Sequence, residues 1–75
     1  MKLSNITFIE EINSDYKVLD LISGSDDIKK FLISFGSIED DKIINIHNFS
    51  YTIEEFKIEL MDGEFLNLEL YVKKI

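Results

Sequence analysis

The side chains able to do chemistry are few and scattered. His47 is the single histidine and cysteine is absent. The candidate nucleophilic serines (Ser14, Ser23, Ser25, Ser34, Ser37 and Ser50) fall in segments that read as turns, caps or helix. The three glycines stand apart from one another, so no glycine-rich loop can cradle a phosphate. Glu10/Glu11 and Glu54/Glu55 are adjacent pairs that a strand would send to opposite faces, whereas general acid–base chemistry needs two carboxylates converging on one substrate. This inventory predicts a protein that is not an enzyme.

Metal chemistry is equally constrained. A two-histidine facial triad for ferrous ion cannot form from one histidine, and thiolate zinc sites are ruled out. A hard-cation site remains conceivable at Glu39-Asp40-Asp41 with His47, provided the acidic loop folds back over the neighbouring strand. The simpler reading makes that loop solvated surface and His47 an exposed strand residue facing away from Ile44 and Ile46. The expectation is no bound metal and no cofactor.

Seventy-five residues predict one domain, spanning residues 1–75. With 45% hydrophobic residues the chain is too apolar for the disordered class. The net charge is −7, and all eight basic residues are lysines. Phosphate-backbone binding rests on Lys/Arg, and guanine readout on the arginine fork, so nucleic acid is a poor partner. A basic protein surface or a cation suits the chain better. The absence of cysteine fits a reducing compartment. No run approaches the roughly 20 apolar residues that cross a bilayer, and Met1-Lys2-Leu3-Ser4-Asn5 lacks a secretory apolar core. Asn5-Ile6-Thr7 and Asn48-Phe49-Ser50 match the glycosylation pattern only by coincidence on this reading. A cytoplasmic location without direct membrane insertion is expected.

The clearest element is a helix over residues 25–35. Ile28, Phe31, Leu32 and Phe35 recur at i, i+3, i+4 and i+7, on one face. Ser23 or Ser25 is positioned to cap it, Asp26 and Asp27 occupy the first turn, and Gly36 can end it in a left-handed conformation. Strand patterns cover Ile6–Ile12, Tyr16–Ile22 and Lys42–Phe49, with Asn13-Ser14-Asp15 as a turn and Ser50-Tyr51-Thr52 as a link. Thr52 and Glu55 imitate a capping box, but Phe56, Ile58 and Leu60 alternate with Lys57 and Glu59, which is the strand period. A three-residue loop at Met61-Asp62-Gly63 pairs Ile58 with Leu66 and Phe56 with Leu68, keeping apolar residues on one face. About five short strands and one short helix predict a mainly β fold, an SH3-like small barrel.

The pattern resembles the bacterial ferrous iron transport protein A (FeoA) family. The resemblance rests on Lys2-Leu3-Ser4, Leu21-Ile22-Ser23-Gly24, Leu32-Ile33-Ser34-Phe35-Gly36, Ile44-Asn45-Ile46 and Gly63-Glu64-Phe65-Leu66-Asn67-Leu68. It implies a small cytosolic partner of the membrane ferrous-iron transporter FeoB, docking on its cytoplasmic region and supporting iron homeostasis by protein–protein contact. Under that resemblance Leu32, Phe35 and Gly36 carry the contact, joined by Ile33, which lies off the helix's apolar face. The ordinary reading is that this face closes one end of a barrel. A free sheet edge offers a second contact mode, strand addition. Two other functions fit the composition: an acidic nucleic-acid mimic, disfavoured because acids and lysines are interspersed, and a stand-alone metal-sensing domain related to repressor SH3-like domains.

Overall fold

The computed structural model describes residues 2–36 and 42–75. Five strands and one helix follow in the order β1 (Lys2–Ile12), β2 (Asp15–Ser23), α1 (Ser25–Phe35), β3 (Ile43–Ile46), β4 (Phe49–Met61) and β5 (Phe65–Lys74). The strands form one sheet in the order β2-β1-β5-β4-β3. Every neighbouring pair is antiparallel except the central β1/β5 pair, which is parallel. The sheet curls into a half-barrel consistent with an SH3-like small barrel, and α1 follows β2 in the chain.

Turn chemistry sets the hairpins. Asn13 and Ser14 both take positive φ, 50° and 72°, which matches the twist of a two-residue hairpin turn. His47 and Asn48 do the same at 50° and 70°, joining β3 to β4. This corrects the expectation of one strand over Lys42–Phe49: the chain reverses at His47-Asn48, and Ser50–Thr52 belong to β4. The apolar positions change parity at the reversal, from Ile44 and Ile46 to Phe49, Tyr51 and Ile53, which one continuous strand cannot accommodate; together with the tolerance of asparagine for left-handed backbone, that break is the physical signal.

The β4–β5 loop has the expected length but begins one residue later, at Asp62-Gly63-Glu64, with Met61 opposite Phe65. Ile58 therefore faces Leu68 and Phe56 faces Leu70, not Leu66 and Leu68. The slip is two residues, so the apolar faces still coincide.

The helix spans the expected residues, with Asp26 and Asp27 in its first turn. Its N-cap is Gly24, and neither Ser23 nor Ser25 supplies a capping hydrogen bond. Gly36 ends it, donating its N–H to the Leu32 carbonyl at 3.0 Å. Its φ of 84° is positive as expected, but ψ of −138° lies outside the left-handed helical region.

Helix α1 lies against β1 and β2. The core beneath it joins Ile6, Phe8, Ile28, Ile44, Ile46, Tyr51, Ile53, Leu68, Leu70 and Val72, with Phe31, Leu32 and Phe35 packed onto it. The Phe31 ring meets Phe8 edge-on at 5.5 Å and stacks on Phe35 at 5.1 Å. Among the described residues no polar or charged side chain is buried.

Candidate functional site: an uncovered apolar sheet face

Strand β4 changes character halfway along. Its pairing with β5 shifts between Ile53 and Glu55, a bulge at which Glu54 is the extra residue. Before the bulge the odd residues Tyr51 and Ile53 face the core; after it the even residues Phe56, Ile58 and Leu60 take the same face, opposite Leu70, Leu68 and Leu66. Tyr51 and Ile53 are 5% and 0% exposed, whereas Phe56, Ile58 and Leu60 are 46%, 61% and 53% exposed. The helix covers β1 and β2 on this face and stops short of distal β4.

Ladder pairing extends this patch across the sheet. Leu60 stands opposite Leu66, which pairs with Leu3 on β1; Ile58 stands opposite Leu68, which pairs with Ile6. Leu3 lines a shallow hollow of about 360 Å³ with Ile28, Leu32 and Ile33 of the helix and Lys2 and Lys29 at its rim. An apolar strip thus runs from the helix over β1 and β5 to the end of β4. Patches of this kind mark contact surfaces more often than isolated exposed leucines do.

The expected contact residues divide between two places. Leu32 and Ile33 line the hollow, and Ile33 is 77% exposed, as its position off the apolar helix face requires. Phe35 lies at the other end of the helix, stacked on Phe31 and capped by the Lys42 ammonium, 4.2 Å from its ring. That ammonium also donates to the Phe35 carbonyl and approaches Gly36. Sequence reasoning did not assign Phe56, Ile58 and Leu60 to a contact surface. Their alternation identified a face but carried no sign of what covers it.

His47 occupies the β3–β4 turn, not a strand. Its Nε2 donates to the Leu19 carbonyl at 3.2 Å and lies 3.7 Å from Asp20 Oδ2, so it spans the seam between β2 and the β3–β4 hairpin. The proposed companions Glu39, Asp40 and Asp41 lie outside the described residues. Among the described residues no three His, Asp or Glu side chains form a group able to hold a metal.

The opposite face of the sheet is more polar. Tyr71 lies there, edge-on to Tyr16 at 5.8 Å, with Lys57 Nζ 5.0 Å from its ring. Its hydroxyl donates to Glu69 Oε1 at 3.4 Å. Partial burial and the Glu69 carboxylate raise the phenol above its ordinary value of 10.0, against an opposing pull from Lys57. A second concavity at the β1–β2 end, about 550 Å³, is lined by Glu10, Glu11 and Glu54 together with Lys73 and Lys74. No described helix is long and apolar enough to cross a membrane.

These features define a small, mainly β, barrel-like domain with an exposed apolar face. The chain matches no protein-family model, no curated protein and no solved structure.

Proposed function

We propose that this chain is a binding module without chemistry of its own, and that the surface it offers is the apolar strip from Leu32 and Ile33 to Phe56, Ile58 and Leu60. The observation that carries the reading is the uncovered distal half of β4, where three large apolar side chains on the core-facing side remain in water. These side chains are about half exposed, so each forgoes roughly half of the ~1.5–3 kcal/mol that full burial gives, a cost that a partner's surface can recover.

The more specific form of the proposal follows the resemblance described above: a FeoA-like cytosolic accessory of ferrous iron uptake, acting on the cytoplasmic region of the FeoB transporter. Support comes from the order of the helix, glycine and hairpin motifs and from a half-barrel compatible with that family's SH3-like fold. An SH3-like barrel alone hosts many functions, so the partner must be tested directly.

The test is co-purification of the full chain with the ferrous transporter of its own organism, combined with ferrous accumulation in a strain lacking the chain. Retention of the transporter, lost in an Ile58→Lys variant that remains folded, together with reduced uptake in the deletion strain, is the expected result. Normal ferrous uptake in that strain contradicts the transport reading and leaves the module without this partner.

A further inference from the structure

Among the described residues, strand β4 has an unpaired edge beyond Ile53 as well as an exposed face. Strand β3 pairs with Phe49–Thr52, the Ile53 N–H donates to the Lys42 carbonyl at 3.0 Å, and among the described residues no other strand pairs with the outer side of β4. From Glu55 to Met61 the strand pairs with β5 on one side, and among the described residues nothing pairs with its other side. Alternate residues of an antiparallel ladder direct their N–H and C=O groups outward, so this edge is a template for another strand.

We infer that the edge is filled by the same segment of a second copy of this chain, in the register that sets Ile58 against Ile58. Two copies related by a twofold axis perpendicular to the sheet keep their inner faces on the same side. Only residues of like face can then stand opposite each other, which restricts the possible registers.

With Ile58 on the axis, Phe56 faces Leu60 of the second copy on the apolar side. On the other side Lys57 faces Glu59 of the second copy, and symmetry repeats both pairs. Opposite charges directly across a ladder are favourable and like charges unfavourable.

The neighbouring registers fail on the same rule. Centring on Lys57 sets Lys57 against Lys57 and Glu55 against Glu59; centring on Glu59 sets two glutamates together. Centring on Phe56 drives the ladder into the Glu54 bulge, towards the segment already paired with β3.

In the Ile58 register the ladder runs from Glu55 to Met61, which face each other at its ends. Beyond them Glu54 would approach Asp62 of the second copy, and each chain carries a charge of −7. Added salt screens that net repulsion and the two Lys57–Glu59 attractions alike. Pairing joins the two apolar strips into one platform with a helix near each end. The inference depends on the β4 edge alone and stands whether or not the transporter is the partner.

The experiment is sedimentation equilibrium of the full chain over a concentration series at low and moderate salt, with circular dichroism to verify folding. A reversible monomer–dimer equilibrium is expected. Lys57→Glu sets two acidic pairs across the interface and raises the dissociation constant about tenfold or more. Combining Lys57→Glu with Glu59→Lys restores opposite charges in this register and recovers most of that loss. Ile58→Lys, at an exposed site that folding does not require, gives a monomer.

A monomer at every concentration overturns the inference. So does a dimer indifferent to Lys57→Glu, a double variant as weak as the single one, or open-ended assembly. A dimer broken by Val18→Lys on β2 but not by Ile58→Lys overturns it in favour of the other sheet edge.

Discussion

The two halves of β4 are built from the same kinds of residue and meet different fates. Tyr51 and Ile53 lie in the core, while Phe56, Ile58 and Leu60, carried to the same face by the Glu54 bulge, stay in water. The cause is coverage. Residues Phe49–Thr52 sit where β3, β5 and the curl of the sheet surround them, and the distal half extends beyond α1, which packs on β1 and β2. Hydrophobic alternation in a strand therefore specifies a face, and the length and placement of the covering layer determine which part of it becomes core.

The largest expected effect falls on the buried half. Ile53→Ala removes a fully buried side chain and should cost about 2–5 kcal/mol in urea unfolding. Ile58→Ala, on the same face of the same strand, should stay within about 0.5 kcal/mol of the parent. Equal losses at the two positions would mean that the halves are covered alike.

Next in size is Gly36→Ala. The combination of φ 84° with ψ −138° suits only glycine, and an added Cβ would also meet Lys42 Nζ at 3.4 Å. A loss of about 1 kcal/mol or more is expected, measured as a shift in unfolding midpoint at unchanged slope. A loss near zero would refute a conformational role for this glycine.

Alkaline titration probes the sheet's other face. The Tyr71 phenol is raised in the folded chain relative to the unfolded chain, so the neutral form favours folding. That contribution is complete below the ordinary value of 10.0 and is lost as pH rises from there through the folded value. Phenolate absorbance should contain a late-titrating contribution from Tyr71 that Tyr71→Phe removes. A small effect is also expected for His47→Asn, since asparagine tolerates the positive φ of 50° there: the contacts with Leu19 and Asp20 are exposed, so thermal unfolding should register only about 0–1 kcal/mol.

Much of this architecture was legible in the residues. The helix follows from four apolar residues at helical spacing and from Gly36, and the Asn13-Ser14 turn from its composition. The shared apolar face of β4 and β5 follows from strict alternation around Asp62-Gly63. The turn at His47-Asn48 carries no glycine or proline, and its signal is the change of parity from Ile44 and Ile46 to Phe49, Tyr51 and Ile53. The exact β4–β5 register was hidden because a two-residue slip leaves every side chain on its proper face.

The candidate site was only half legible. Ile33 stood out as the helical residue off the packed face, but the exposure of Phe56, Ile58 and Leu60 depends on where the helix ends over the sheet. The bulge at Glu54 likewise has no local signature such as glycine, although it is what keeps the apolar residues of both halves on one side.

Backbone amide exchange along β4, followed residue by residue in dilute solution and again at high protein concentration, tests the central claim most directly. The account expects slow exchange at Tyr51 and Ile53 under both conditions, and exchange at Phe56, Ile58 and Leu60 that is fast when dilute and slows as copies associate. Uniform protection from Tyr51 to Leu60 in the dilute chain would contradict it, because the distal half would then be covered by the chain's own fold.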